Sequence, residues 1–177
     1  MQSNDFAFSR WLVPWLTAYQ GWAVFMDCDM LVQTDIAELF READPRYAVK
    51  VVKHNHKPRE TVKYLGNLQT QYERKNWSSV MLFNCGHPAM RVLAPDFVDK
   101  APGLDLHQFK WLDDDLIGEL PHEWNVLVDY DDPAHYPYPK NLHYTTGGPW
   151  FQEYRECDWA EEWFTELEEL LYCEQLK

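Results

Sequence analysis

A short apolar run that ends in two carboxylates is the feature that most constrains this chain. Residues 23–26 are all apolar, and Asp27, Cys28 and Asp29 follow them directly. An apolar run of this length is typical of a buried strand in an α/β sheet. Alternate residues of a strand point to the same face, so Asp27 and Asp29 are predicted to project together from its carboxyl end, where ligands gather in open α/β sheets. Two carboxylates there are costly without a cation, and a hard divalent metal ion suits them.

The composition indicates one packed domain with an acidic surface. The chain has 177 residues, of which 46% are hydrophobic and 16% aromatic, so we expect a single domain over 1–177. Its 29 acidic and 16 basic residues give a formal net charge of -13, which disfavours nucleic acid and anionic membranes as partners. A nucleotide diphosphate would also be repelled unless a cation bridged it to the protein.

The sequence indicates neither a membrane span nor a disulfide framework. No apolar run approaches the roughly 18 residues that cross a bilayer, and residues 1–5 do not resemble a signal peptide. The four cysteines contain no CxxC pair, which is typical of reduced thiols in a cytosolic protein. We therefore predict a cytoplasmic protein without a transmembrane segment.

Apolar periodicity predicts alternating helices and strands. The predicted helices cover about 9–20, 35–43 with Thr34 as N-cap, 87–93, 113–119 and 158–172, where Trp163, Leu170 and Leu171 are among the residues expected to face the core. The predicted strands cover 22–27, 47–53, 79–83, 124–128 and 142–145. This alternation predicts an α/β fold. Because only one helix precedes the strand that ends at Asp27, we also expect the chain to lack an amino-terminal strand–helix unit.

Several segments occur together in an order that resembles a known enzyme family. They read FSRWLVP (8–14), AVFMDCD (23–29), NWSSVMLFN (76–84), WLDDD (111–115) and LHYTTGGPW (142–150). The set is similar to GT-A glycosyltransferases, close to the family 8 group of glycogenin and lipopolysaccharide galactosyltransferase. The resemblance implies a GT-A, Rossmann-like nucleotide-diphospho-sugar transferase fold, truncated at its amino terminus. It also implies transfer of a hexose from a nucleotide sugar, above all a UDP-sugar, to a saccharide or other hydroxyl acceptor.

The resemblance implies a metal site built on the two carboxylates. Asp27 and Asp29 match the family's Asp-x-Asp motif, which binds Mn²⁺ or Mg²⁺ together with the diphosphate of the donor. His143 matches the third ligand. Such a metal ion neutralises the charge that grows on the departing phosphate.

The segment that follows the third ligand both matches and departs from the family. Gly147 and Trp150 match its ending and are candidate substrate-binding residues. Relatives commonly carry a phosphate-binding lysine where this chain has Gly148. Lys140 and Arg155 are the candidate replacements for that lysine.

Other positions match groups that surround the donor sugar in the family. Arg10 lies where the family places an arginine near the donor, and an arginine that reaches past apolar surface to water is the alternative. Ser78 and Ser79 take the place of a small pair that lets the backbone approach the sugar. Asn125 matches an asparagine close to the site.

Asp113 and Asp114 are the candidate catalytic residues. They match the first two positions of a family Asp-Gln-Asp segment that lies near the reacting sugar, and Asp114 stands where relatives carry the amide. A carboxylate there could act as a nucleophile or as a base toward the acceptor. The alternative is that these residues only open a helix, where the dipole favours carboxylates. Trp111 and Trp124 remain candidates for stacking on sugar.

Two other functions remain open. The apolar strand, the Asp-x-Asp pair and the apolar residues 30–32 also resemble the opening motif of haloacid-dehalogenase-type phosphatases, in which Asp27 would be the nucleophile. The chain could instead be an inactive, truncated transferase that serves as a binding module. Separately, residues 53–75 form a basic island that includes Lys57, Arg59 and Lys63, and we hypothesise that it orders over the donor on the acceptor side; a solvated turn is the alternative.

Overall fold

Short helices and strands alternate through the part of the chain that the computed structural model describes, residues 6–54 and 74–175. The helices are α1 (Phe6–Ser9), α2 (Val13–Leu16), α3 (Pro95–Lys100), α4 (Gly103–His107) and α5 (Ala160–Gln175). The strands are β1 (Trp22–Met26), β2 (Met30–Val32), β3 (Val49–Val51), β4 (Val80–Asn84), β5 (Ile117–Glu119), β6 (Val126–Leu127) and β7 (Asn141–His143). The 3-10 turns between them are Arg10–Leu12, Ile36–Glu42, Trp77–Ser79, Pro88–Val92, Asp114–Leu116, His122–Trp124 and Gln152–Tyr154. The predicted α/β class is confirmed.

Within the described residues, the larger sheet has four strands in the order β1-β4-β3-β5. Strand β4 runs antiparallel to both of its neighbours, and β3 runs parallel to β5. In this register Met81 of β4 lies opposite Phe25 of β1 and Val51 of β3. The carboxyl ends of β1, β3 and β5 therefore meet the amino end of β4 at one edge of the sheet.

A smaller sheet has three strands in the order β2-β7-β6. Strand β7 is antiparallel to β2 and parallel to β6, so His143 pairs with both Met30 and Leu127. Only residues 27–29 separate β1 of the first sheet from β2 of the second. The Asp-x-Asp segment is thus the point where the chain crosses from one sheet to the other.

Strand β4 forms the centre of the core. Its Met81 and Phe83 belong to one buried cluster, and its Val80 and Leu82 belong to a second cluster on the opposite face. Strand β1 is only half-buried along its whole length, so the prediction of a buried strand at this position was wrong. Among the described strands of this sheet, β1 is hydrogen-bonded to β4 alone and lies at the edge, which explains its exposure.

Two helix predictions before residue 50 require correction. The helix expected over 9–20 is a series of short turns that ends at Leu16, because Ala18 and Tyr19 adopt left-handed backbone angles (φ 53° and 57°). The helix expected over 35–43 is a 3-10 turn. Its N-cap is Asp35 rather than Thr34, since the Asp35 carboxylate accepts a hydrogen bond from the Ala37 N–H at 2.9 Å.

The helix predicted over 113–119 is mostly a strand. After the turn Asp114–Leu116 the chain enters β5, which pairs with β3. Gly118 makes this pairing possible, because a Cβ at this position would lie 2.7 Å from the Tyr47 ring. Glycine is also unfavourable inside a helix, which adds to the preference for the strand.

The carboxyl-terminal helix was predicted well in position but not in its buried face. Helix α5 packs Trp163 against the third apolar cluster, around Leu142 and Tyr144. Leu170 and Leu171, predicted to face the core, are 57% and 48% exposed. None of the described helices is long and apolar enough to cross a membrane.

Candidate functional site

Asp27, Asp29 and His143 come together at the junction of the two sheets. Each offers one ligand atom, and these atoms all lie within 4.8 Å of one another. The Asp27 N–H donates to the Ser79 carbonyl at 2.9 Å, and the Asp29 carbonyl accepts from the Tyr144 N–H at 2.9 Å. The hydrogen-bond ladders of both sheets therefore continue into the Asp-x-Asp segment. They fix the backbone of Asp27 and Asp29 on either side of the crossing.

A buried hydrogen-bond chain determines the tautomer of His143. The Ser79 hydroxyl donates to the Asn76 carbonyl at 2.6 Å, so its oxygen is an acceptor for the Asn125 amide nitrogen at 2.8 Å. Asn125 then presents its amide oxygen to His143 Nδ1 at 3.0 Å. His143 must carry its hydrogen on Nδ1. Its Nε2 faces the carboxylates, with Asp29 Oδ1 at 3.5 Å.

Arg10 is buried and compensates the charge of Asp27. Its Nη2 lies 2.7 Å from Asp27 Oδ1, and its Nη1 donates to the Ser78 carbonyl at 2.7 Å. The guanidinium carbon lies 4.8 Å from the Phe25 ring centre and 5.3 Å from that of Phe6. Only 6% of the residue is exposed, so Arg10 does not extend into water.

The neighbours of the Asp27 carboxyl shift its pKa in opposite directions. Burial raises its pKa, and the neighbouring Asp29 adds to that rise, whereas Arg10 and His143 act in the opposite direction. The net direction is upward. Two carboxylate groups and one imidazole Nε2 are ligands that suit a divalent ion such as Mn²⁺, whose charge would relieve the repulsion between the carboxylates.

The wall behind Arg10 contains a neutral histidine that sequence reasoning missed. The Ser78 hydroxyl lies 2.6 Å from His107 Nδ1. Burial lowers the pKa of His107 to about 4, the positive charge of Arg10 acts in the same direction, and a hydrogen bond with the Ala7 backbone opposes them. His107 is therefore uncharged at neutral pH and adds no second positive charge behind Asp27.

Asp113 and Asp114 lie in a separate cavity. It has a volume of about 430 Å³ and is lined by these two carboxylates together with Arg74 and Lys110. Arg74 Nη2 contacts both oxygens of Asp114, at 2.7 and 2.6 Å, and these hydrogen bonds hold the pKa of Asp114 below its ordinary value. The Asp114 side chain is 76% exposed. It is an ionised carboxylate that Arg74 holds at the rim of the cavity.

The glycines after His143 are required by two aromatic rings. A Cβ at Gly147 would meet the Tyr154 ring, and a Cβ at Gly148 would meet the Trp150 ring. Trp150 is 40% exposed and packs against Tyr144, with ring centres 5.6 Å apart. Trp150 therefore fills the space that a side chain at 148 would need. This is a steric reason why this chain has glycine where the resemblance implies a lysine.

The two candidate replacements for that lysine have other contacts. Lys140 Nζ lies 3.0 Å from Glu38 Oε2 and 5.2 Å from the Trp124 ring centre. The Arg155 guanidinium lies 4.9 Å from the Phe164 ring centre. Both cations thus have partners away from the Asp27 carboxylate cluster.

The two tryptophans considered for sugar stacking belong to apolar packing. Trp124 is fully buried in the core. Trp111 is half-buried, and its ring centre lies 5.8 Å from that of Trp11 and 6.1 Å from that of Phe109. Trp124 therefore offers no face to a ligand in this structure.

Most of the basic island at 53–75 lies outside the described residues, including Lys57, Arg59 and Lys63. Its two described ends meet at Trp77. Lys53 Nζ and the Arg74 guanidinium lie 5.7 and 5.3 Å from the Trp77 ring centre, and the indole N–H donates to the His54 carbonyl at 2.9 Å.

The chain has a relative among characterised sequences. It is 47% identical over 174 residues to Protein CDI of Arabidopsis thaliana. The match covers 96% of this chain and 66% of that protein, so the chain spans about two thirds of its relative's length. No protein-family model matches the chain.

Several solved glycosyltransferases share the fold. The apo form of GlyE from Streptococcus pneumoniae TIGR4 superposes with a TM-score of 0.59 at 19% identity, over 90% of this chain and 42% of that one. LgtC in complex with donor and acceptor sugar analogues gives a TM-score of 0.52 at 15% identity, over 90% and 65% of the two chains. The apo form of the bifunctional enzyme WbbM gives 0.52 at 19% identity, over 93% and 38%. The predicted GT-A fold is confirmed.

Proposed function

We propose that this chain acts as a metal-dependent glycosyltransferase, with Mn²⁺ or Mg²⁺ as its cofactor and a nucleotide sugar as its donor. The observation that carries the proposal is the convergence of Asp27, Asp29 and His143 Nε2 within 4.8 Å on a GT-A fold. Two carboxylates and one imidazole leave coordination positions open for phosphate oxygens and water. This is the ligand set that the resemblance to family 8 implies, and we propose that the chain belongs with that group.

Each residue of the cluster has a defined task in this proposal. When bound, the metal ion neutralises the negative charge that develops on the departing diphosphate. Asp27 and Asp29 would hold the ion, and His143 would offer it Nε2 because Asn125 keeps the hydrogen on Nδ1. Arg10 keeps the Asp27 carboxylate in place and adds a fixed positive charge to the site.

The proposed substrates are a UDP-hexose and a saccharide or other hydroxyl acceptor. The formal charge of -13 means that an anionic donor needs a bridging cation, which favours metal-dependent binding. We assign Asp113 and Asp114 to the donor-sugar side as candidate catalytic residues, with their cavity of about 430 Å³ as the sugar pocket. Gly147 and Trp150 remain candidate substrate contacts.

We also propose a cytoplasmic location, since all four cysteines are free thiols.

The buried polar residues support the site from behind. Ser78 and Ser79 are 4% and 3% exposed, and Asn125 is fully buried. Their side chains hydrogen-bond to His107, Asn76 and His143. We propose that these three residues shape the site through the groups they hold, and that a donor meets their backbone rather than their side chains.

The phosphatase alternative has no specific support in the structure. Ser78 and Ser79 lie in the turn that precedes β4, whereas the phosphatase motif places its hydroxyl residue at the end of a strand. Strand β1 is an edge strand antiparallel to its neighbour β4. The inactive binding-module alternative requires a separate test of turnover.

Calorimetric titration of UDP with and without Mn²⁺ tests the proposal. We expect UDP to bind only with Mn²⁺, and we expect Asp29→Asn to abolish that binding because one ligand loses its charge. Asp99→Asn is the matched control, since Asp99 is an exposed carboxylate on α3. UDP binding that does not depend on Mn²⁺, or that is unchanged in Asp29→Asn, would contradict the metal-dependent site.

Turnover is measured separately as the release of UDP from a panel of UDP-sugars with saccharide acceptors. Mn²⁺-dependent release that is lost in Asp29→Asn supports the transferase. Mn²⁺-dependent UDP binding without release from any donor would instead support the binding-module alternative.

A further inference from the structure

A second group of potential metal ligands lies at the same edge of the large sheet. His54, His122 and Asp131 each offer one ligand atom, and these atoms lie within 4.8 Å of one another. His54 follows β3, His122 follows β5 and Asp131 follows β6. Three separate parts of the chain thus bring two imidazoles and one carboxylate to one point. None of these residues belongs to the Asp27 carboxylate cluster.

The surroundings of this second group hold the side chains in orientation. The Tyr136 ring stacks on the His122 ring, with centres 4.5 Å apart and planes at 15°. The Leu127 N–H donates to Asp131 Oδ2 at 2.7 Å. The His54 and His122 rings meet edge to face, with centres 4.8 Å apart. Hydrogen bonds to a carboxylate ligand, like the one from Leu127, orient ligands around metal ions in proteins.

We propose that His54, His122 and Asp131 form a zinc site with one open coordination position. Zinc takes nitrogen and oxygen ligands in tetrahedral geometry, and three protein ligands leave the fourth position for water or another small ligand. Two imidazoles in a set of three favour zinc over Mg²⁺ or Mn²⁺, which prefer oxygen ligands. The proposal concerns residues outside the transferase site and does not depend on the proposed function.

The exposure of the three residues gives an ion a route from solvent. His54 is 7% exposed, whereas the side chains of His122 and Asp131 are 32% and 18% exposed. The group therefore has a buried ligand on one side and two accessible ligands on the other. The acidic chain, with a formal charge of -13, also raises the local concentration of cations.

Metal binding requires the His122–Asp131 pair to move apart. His122 Nε2 and Asp131 Oδ2 lie 2.8 Å apart, a hydrogen-bond distance. With zinc–ligand bonds of about 2.0 Å, the edge of a tetrahedron is about 3.3 Å, so this pair has to separate by about half an ångström. The hydrogen is displaced from His122 Nε2 as the ion takes its place. The competing explanation is a hydrogen bond that only holds the loop 127–131 in place.

Zinc titration of the metal-free protein tests the site, with Asp29→Asn as the background to weaken the first cluster. We expect one equivalent of Zn²⁺ to bind, and we expect His122→Ala to weaken that binding by at least about tenfold. His135→Ala is the matched control. His135 lies in the same region, its Nδ1 is 3.3 Å from Asp132 Oδ2, and its side chain is 77% exposed.

Two further measurements separate metal binding from a structural hydrogen bond. His122→Gln keeps an N–H donor toward Asp131 but loses the imidazole. It should therefore fold like the parent by circular dichroism but bind Zn²⁺ more weakly than the parent does. Co²⁺ in place of Zn²⁺ should give the visible absorption of a tetrahedral site, and His54→Ala should remove that absorption.

The outcomes are decisive in either direction. Absence of Zn²⁺ binding at micromolar concentration in the Asp29→Asn background, or equal weakening by His122→Ala and His135→Ala, would overturn the proposal. Because Zn²⁺ and Co²⁺ binding are the readouts, a failure of UDP binding leaves this test unaffected.

Discussion

The two ligand clusters share one edge of the sheet but differ in their donors and in what supports them. The cluster of Asp27, Asp29 and His143 has two carboxylates, and the cluster of His54, His122 and Asp131 has two imidazoles. The first is supported by charge and by buried amide hydrogen bonds. The second is supported by ring stacking and a backbone N–H. One sheet edge can therefore present two different chemistries, according to which residues follow each strand.

The difference in donors determines the kind of support that each cluster needs. Two carboxylates repel each other, and the buried cation Arg10 lies beside the first cluster, 2.7 Å from Asp27. In the second cluster the single carboxylate receives hydrogen bonds from His122 and from the Leu127 N–H. We therefore expect the first cluster to respond most strongly to changes in charge, and the second to loss of an imidazole.

The largest expected effect in the first cluster comes from removing its cation. Arg10→Met keeps an unbranched apolar chain against Phe6 and Phe25 but leaves Asp27, whose side chain is only 17% exposed, without its partner. Breaking a buried ion pair in this way typically costs about 3–5 kcal/mol of unfolding free energy. Urea denaturation without added metal measures the loss, and Mn²⁺ should restore part of it.

Two further variants show whether the loss comes from the unpaired charge. Arg10→Met combined with Asp27→Asn should recover most of the stability, because no charge is then left unpaired. Lys50→Met is the matched control. Its partner Glu42 is 32% exposed and can be rehydrated, so a smaller loss is expected. A loss at Lys50 as large as that at Arg10 would contradict the importance of the buried pair.

The next largest effect is a pH dependence of folding stability that comes from His107, next to the first cluster. His107 lies beside Arg10, whereas His122 of the second cluster lies beside a carboxylate. Burial lowers the pKa of folded His107 to about 4, and the unfolded chain has a value near 6.5. Between these values only the unfolded state binds the proton, so stability falls as the pH drops from about 6.5 to 4. The full loss is about 3 kcal/mol.

Unfolding experiments across this pH range measure that contribution. His107→Gln should reduce this fall in stability at acid pH (the acid limb) relative to the parent protein. The reason is that Gln can accept the Ser78 hydrogen bond without titrating. His135→Gln should leave the limb unchanged, since the His135 side chain is 77% exposed. An acid limb that is identical in the parent and in His107→Gln would exclude this histidine as the cause.

The sequence predicts those parts of the structure that depend on local patterns. The run at 23–29 carries its own strand signal, and β1 lies there, although it is only half-buried and both Asp27 and Asp29 lie beyond its end. The predicted metal ligands meet within 4.8 Å, but whether they bind metal stays a prediction. Predicted strands at 47–53 and 79–83 were found as β3 and β4, with shorter bounds for β3.

The features that the sequence does not predict depend on contacts between residues far apart in the chain. The pairing of Arg74 with Asp114 spans 40 positions, and the hydrogen bond between Ser78 and His107 spans 29. Asn76 holds the chain that orients His143, yet its left-handed backbone (φ 65°) gives only a weak turn signal in the sequence. The second cluster joins His54 to His122 and Asp131, and no spacing motif connects them. Tertiary structure alone brings these residues together.

The smallest effect, and the sharpest test of how the first cluster is supported, concerns Asn125. Asn125→Ala removes the acceptor that holds the hydrogen on His143 Nδ1, so the Nε2 lone pair is no longer fixed toward the carboxylates. Loss of such an outer partner typically weakens metal binding by about 10–100-fold. Mn²⁺ affinity from calorimetry measures the change.

Asn141→Ala is the matched control, because Asn141 is equally buried and its amide donates to the Trp124 carbonyl at 3.0 Å. Asn125→Asp, which keeps an acceptor for His143, should lose less than Asn125→Ala. Equal Mn²⁺ affinities in the two alanine variants would mean that packing, and not the His143 tautomer, explains the effect of Asn125.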